Sequence, residues 1–392
     1  MDTFSLVFKV HHPFYLRPYR FFDIDAHHNY YDDYRNKYVL KRFSERSYEK
    51  ANRLLIHLFE RYGERLKVAF VFSGNAVDQM QWYAPELLEN FKTLLKHPNV
   101  EVLASDDSGG VMGLLHKELW EAQVLRHRKR MEDVFGKCGK VLAGTQLLYD
   151  DQMGAAAFEL GFKGMLTEGA KPVLGSKSPH VVSRHPDRDL KLILRDGALS
   201  ENISLHFAER PQTAEKFVAK ALENQAALRG NCHVTMYCNY AVFGEFQGEE
   251  TGIFDFLEYL PAAVFKNGLE FAFPSDLCRF AEDFPALHVP FTISDMDEEK
   301  DLTAFYANEL QRDVMENWKN TCPVMMDCKD GELQKDFRFL TGVEHLLFMS
   351  TKYFTEKPSV RYLTPYDSPY DAYINYMNVW ADFTRRLAEV RR

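Results

Sequence analysis

Phe4, Leu6, Phe8 and Val10 alternate along the start of the chain as one face of a β-strand. Pro13, after His11 and His12, stops that ladder. A polar, aromatic loop over 17–34 and a helix over 44–62, closed by Gly63, follow. The alternation of short apolar runs with helical stretches then repeats. It predicts strands at 67–72, 100–104, 140–143, 162–168, 190–194, 233–237 and 269–273. Helices are expected between them at 84–97, with Pro85 in the first turn, and at 118–135, 152–160, 213–228 and 253–265. Roughly seven βα units predict an α/β fold on a parallel sheet, closed or nearly closed into a barrel. After Pro285 and Pro290 helical patterns dominate, at 298–319, 332–348 and 372–391, joined by aromatic loops around Tyr353 and 365–370. The expected organisation is therefore a barrel over 1–285 and a helical C-terminal subdomain over 286–392.

In such a barrel the C-terminal strand ends share one mouth. They would bring together His11, His12, Asn75, Asp106, Asp107, Gln146, Glu168, Asn239 and Glu245. Glu168 stands out, because Phe162, Met165 and Leu166 lead straight to it and Gly169 follows. The plain alternative is a strand-end carboxylate that only meets solvent. Adjacent His11 and His12 point to opposite faces of a strand, which argues against a shared metal ion. No metal or cofactor is expected. No Gly-x-Gly-x-x-Gly follows the first strand, and no Gly-x-Ser-x-Gly is present. A retaining glycosidase needs two carboxyl groups about 5 Å apart. Glu168 supplies one, and the pattern does not reveal its partner.

The net charge of −9 argues against nonspecific nucleic-acid binding, which needs a basic face. No run approaches the ~20 apolar residues that span a bilayer. The six scattered cysteines fit no usual zinc or redox spacing and read as reduced thiols of a cytoplasmic protein. The 31 Phe, 20 Tyr and 4 Trp serve a core and can also line a sugar cleft.

Residues 7–13, 16–23 and 28–33 resemble the N-terminus of α-amylase-like proteins of glycoside hydrolase family 57. Residues 161–170 are similar to that family's nucleophile motif, 239–247 with 250–256 to its acid motif, and 365–378 to its C-terminal helices. The resemblance covers essentially the whole chain. It implies an incomplete TIM-like (β/α)7 barrel with a helical subdomain, acting on α-glucans with retention of configuration. Glu168 falls at the nucleophile position. Asn239 falls where the family has its general-acid aspartate, and an amide has no proton to give. The resemblance implies sugar-binding positions at His11, His12, Asp106, Asp107, Gln146, Glu245, Phe246 and Asp295, and the family pattern is departed from at His12, the Asp106–Asp107 strand end, Gln146, Ala241, Phe246 and Asp295.

General acid catalysis contributes about 10²- to 10⁴-fold, so its loss implies lost or strongly altered hydrolysis. The expected protein is an α-amylase-like homologue that binds or acts on an α-glucan or maltooligosaccharide, a pseudoenzyme in the limit. The alternatives are an active α-glycosidase or 4-α-glucanotransferase whose acid has moved, with Asp106, Asp107 and Glu245 as candidates, and a noncatalytic scaffold or regulator in glycogen or starch metabolism.

Overall fold

The computed structural model describes residues 2–223, 225–228, 230–279, 284–352 and 363–390. Among them the barrel strands are β1 (Thr3–Val10), β2 (Val68–Phe72), β3 (Val100–Val102), β4 (Val141–Leu142), β5 (Gly164–Glu168), β6 (Lys191–Arg195) and β7 (His233–Asn239), with a short β8 (Glu270–Phe271). β1 is the hub. It pairs in parallel with β7 from Thr3↔His233 to Lys9↔Asn239, with β2 through Val7–Val10, and with β8 at Thr3 and Phe4. β2 continues to β3, and β4 to β5 and β6, always in parallel.

Two seams join these sheets. Ala104 and Leu142 form a parallel bridge between the β3 and β4 ends. Asp196 N–H donates to Thr235 O at 2.9 Å between β6 and β7. The result is the nearly closed parallel barrel that the alternation predicts, in the incomplete TIM-like form that the resemblance implies.

The strands are buried on both sides, as parallel strands under helices must be. Phe4, Leu6, Phe8, Val10, Phe70 and Phe72 pack outward beneath the helices. Val7, Val71, Leu103, Val141, Leu166, Ile193 and Tyr237 fill the interior. Because the side-chain period is two, the inner face continues one pleat further to Lys9, Glu168, Arg195 and Asn239. Four polar groups thus stand at the mouth by strand parity alone.

The helical layer comprises α1 (Asp33–Phe43), α2 (Glu49–Tyr62), α3 (Gly74–Tyr83), α4 (Pro85–Leu95), α5 (Lys117–Phe135), α6 (Asp151–Glu159), α7 (Gly197–Ser204), α8 (Ala214–Ala221) and α9 (Ile253–Lys266). Helix begins earlier than the expected 44–62. Asp32 caps α1 by accepting from Arg35 N–H at 2.9 Å, and a π-turn at Ser44–Tyr48 carries the chain into α2. α3 was hidden from the hydrophobic pattern because its buried face includes Asn75, Asp78 and Gln79. α8 stops well short of residue 228.

The C-terminal helices are α10 (Glu309–Asp327), α11 (Gly331–Leu340), α12 (Val343–Phe348) and α13 (Pro369–Val390). Asn308 and Gln311 cap each other's backbone and set the start of α10, eleven residues later than the pattern suggests. Tyr376 of α13 accepts from Trp318 Nε1 at 2.6 Å and donates to Leu340 O at 2.8 Å, tying three helices together. Asp382 of α13 reaches back to the first loop, accepting from Asp25 N–H at 2.7 Å and bonding His28 Nδ1 at 2.7 Å. The aromatic loop expected around Tyr353 and the helix end at 391 lie outside the described residues. No described helix is long and apolar enough to cross a membrane.

Candidate active site

Glu168 ends β5 in register with Arg195, which ends β6. Arg195 Nη1 donates to Glu168 Oε2, and Nε donates to Tyr237 O at 3.1 Å. Glu201 of α7 lies 3.6 Å from Arg195 Nη1 and is itself bonded by Lys300 Nζ. Glu168 is only 1% exposed. Its Oε1 has no hydrogen-bond partner among the described residues. A Cβ at Gly197 would stand 2.7 Å from that oxygen, so glycine there keeps the space open. Burial raises the carboxyl's pKa above its ordinary value, while Arg195 and Lys300 pull it down and Asp295 adds to the rise. For Arg195, burial opposes the charge, but Glu168, Asp295 and Glu201 hold it protonated.

Asn239 ends β7. Its Oδ1 accepts from Ala241 N–H at 2.9 Å, capping the turn that follows. Lys9 is its register partner on β1. Lys9 Nζ donates across the barrel to Thr145 O at 2.7 Å, and Tyr237 Oη donates to the same carbonyl at 3.3 Å. The ammonium also lies 5.8 Å from the Tyr237 ring centroid. Lys9 and Asn239 are thus strand neighbours, with the Lys9 side chain directed to the β4 end.

Three further groups gather at the β3 and β4 ends. Asp106 Oδ1 accepts from Gly109 N–H at 2.6 Å and Gly110 N–H at 3.2 Å. Burial pushes its carboxyl up to about 6, against those two N–H groups and His11. Gln146 Nε2 donates to Gly109 O at 3.4 Å, leaving Oε1 buried and unpartnered among the described residues. Gln146 O accepts from Ser294 Oγ at 3.0 Å and from Asp295 N–H at 3.3 Å. His11 Nε2 lies 2.5 Å from Glu344 Oε1 of α12, joining the mouth to the C-terminal helices.

The remaining expected residues point elsewhere. His12 bonds Tyr48 Oη at 2.9 Å, and burial, with His11 nearby, pushes it down to about 3. The two histidines do diverge, as strand geometry requires. Asp107 faces the helices: Arg130 Nε approaches it at 3.2 Å and Arg338 Nε at 3.7 Å. Both arginines also bind Asp78, at 2.6 and 2.5 Å. Glu245 is held by Arg42 Nε at 2.8 Å, with Arg46 at 3.9 Å. Phe246 packs edge-on against Phe43 at 5.6 Å. Asn75 Nδ2 donates to Ser108 O at 3.0 Å.

Lys9, Arg195, Glu201, Lys300 and Glu344 were not singled out by the sequence reading. Arg195 was findable: it stands two residues after Ile193 at the end of an apolar run, in the strand next to Glu168. Lys9 carried the same parity signal. Lys300, Glu201 and Glu344 sit on helices and loops with no local mark. No three His, Cys, Asp or Glu among the described residues are placed to hold a metal ion.

A polar cluster that includes a buried glutamate at the end of β5 thus stands at the C-terminal mouth of an incomplete parallel barrel. The profile of glycosyl hydrolase family 57 matches residues 5–290, and the chain belongs to that family. It is 30% identical to a Methanocaldococcus jannaschii protein described as "Putative alpha-amylase", over 98% of this chain and 84% of that one. The fold is similar to a GH57 branching enzyme from Thermococcus kodakaraensis, with a TM-score of 0.72 at 11% identity, covering 99% and 90% of the two chains. The α-amylase AmyC of Thermotoga maritima superposes with a TM-score of 0.67 at 10% identity, covering 100% and 94%.

Proposed function

We propose that the barrel mouth takes an α-glucan or maltooligosaccharide, with Glu168 as the group facing the sugar and hydrolysis strongly altered by Asn239. One observation carries this reading. The amide on β7 is fixed by its own turn and flanked by Lys9, so that strand end offers no carboxylic acid to a leaving group. The relatives described as an alpha-amylase and a branching enzyme supply the substrate class. Glu168 retains what a nucleophile needs, a guanidinium on one oxygen and an unpartnered second oxygen.

The test is product analysis after prolonged incubation with maltooligosaccharides of several lengths, with Glu168→Gln in parallel. Slow products made only by the native chain, together with binding by both proteins, support the reading. Fast hydrolysis would overturn the altered-hydrolysis part. No binding by either protein would remove the glucan itself.

A further inference from the structure

We infer that Asp295 is the carboxyl group that protonates the leaving oxygen at the Glu168 site, in place of the side chain on β7. This rests on the reading that the mouth takes an α-glucan.

The carboxylates near the mouth divide by what already holds them. Asp107 is enclosed by Arg130 and Arg338, and Glu245 by Arg42 and Arg46. Glu201 is bonded to Lys300 and Glu344 to His11. Asp106 spends Oδ1 on the two glycine N–H groups, the arrangement of a loop-closing aspartate. Asp295 alone in this set has a carboxyl with neither a hydrogen bond nor an ion pair among the described residues, and its Oδ1 is buried. Fixed acceptors without donors are costly unless a ligand, water or proton satisfies them.

Its placement is rigid. Asp295 N–H is bonded to Gln146 O at the β4 end, beside β5, and Ser294 Oγ donates to the same carbonyl. Ile293 bridges Tyr149, and Ser294 N–H donates to Lys300 O at 3.1 Å, closing the loop. Lys300 takes a left-handed φ of 58° to do so, and its side chain then bonds Glu201 beside Arg195. A short buttressed loop therefore presents Asp295 to the electrostatic neighbourhood of Glu168, Arg195 and Tyr237. Unlike Glu168, Asp295 is partly exposed, where a glycosidic oxygen can meet it. Glu168 Oε1 and Gln146 Oε1 are likewise buried and unpartnered among the described residues.

In the reaction, Glu168 Oε1 forms a bond to the anomeric carbon as that carbon's bond to the leaving oxygen breaks. Asp295 gives its proton to that oxygen. Water then attacks the anomeric carbon, its proton returns to Asp295, and Glu168 is released as carboxylate, so both groups are restored.

The test compares native, Asp295→Asn, Asp106→Asn and Glu168→Gln proteins on maltooligosaccharides and on a 2,4-dinitrophenyl α-glucoside, whose leaving group needs no proton. Maltooligosaccharide affinity is measured by calorimetry for each. The expected result is a loss of about 10²- to 10⁴-fold for Asp295→Asn on the maltooligosaccharide. Its bond-breaking step on the dinitrophenyl substrate, followed as the nitrophenolate burst, should stay within a few-fold of native. Glu168→Gln should abolish both. An equal loss on both substrates would mean a structural role and overturn the inference, as would an unchanged Asp295→Asn or a selective loss in Asp106→Asn. Binding without Glu168-dependent turnover would also overturn it while leaving the glucan reading intact. Absence of binding would remove both.

Discussion

Glu168 and Arg195 are register partners on neighbouring strands and form a buried ion pair, so the carboxylate proposed as nucleophile is already held by a cation of the same barrel. Removing one partner of such a pair strands the other in low dielectric. Arg195→Met should destabilise the fold by about 3–5 kcal/mol, whereas Glu168→Gln, which keeps an acceptor for the guanidinium, should cost less. Urea unfolding of the two variants at neutral pH tests this. Equal costs would mean that the pair contributes little beyond packing.

A second buried network, Asp78, Asp107, Arg130 and Arg338, joins α3, the β3 end, α5 and the C-terminal α11. Arg338→Met should lower stability by about 3 kcal/mol, because two aspartates lose a shared cation. In a double-mutant cycle with Asp107→Asn the costs should be clearly non-additive. Additive costs would show that Asp107 is sufficiently held by Arg130 alone.

Asp106 gives a pH signature. Its carboxyl sits at about 6 in the folded chain, against 3.8 as the ordinary value. Between those values the folded chain keeps a proton that the unfolded chain releases. The stabilisation is therefore full at low pH and is lost as pH rises through about 6. Native stability relative to Asp106→Asn should accordingly fall by about 2 kcal/mol from pH 4 to pH 7.5. A difference that does not vary with pH would place the Asp106 carboxyl in the ordinary range.

Lys9 limits what restoring an acid on β7 can achieve. In Asn239→Asp the new carboxylate would stand in register with Lys9, whose charge favours its ionised form, so turnover of maltooligosaccharides should rise by less than about tenfold. Adding Lys9→Met should raise it by a further factor of about ten or more, by letting that carboxyl keep its proton. A large gain from Asn239→Asp alone would show that Lys9 exerts no such hold.

The barrel was legible in the sequence because parallel strands buried on both sides write themselves as short apolar runs, and because most of the runs were followed by a helix. The site was legible only along the strands. Period two places Glu168 and Asn239 inward, and it would have placed Lys9 and Arg195 there too had polar residues at the ends of apolar runs been followed across neighbouring strands. Asp107 and Glu245 could not be sorted from Asp106 by pattern. Their arginine partners lie far along the chain, Arg338 on α11 and Arg42 on α1. α3 was missed for a related reason: a helix that buries Asn75, Asp78 and Gln79 against other polar groups shows no apolar stripe.

The pairing of β1 with β7 bears on synthesis. One edge of β1 stays open during synthesis until residues 233–239 have followed it, and the loop after β1 waits longer still for Asp382. A nascent chain shorter than about this length carries an unpaired, strongly apolar strand, which is the condition that invites intermolecular pairing. Refolding of the full chain should accordingly be slow, since its defining contacts close the largest loops available.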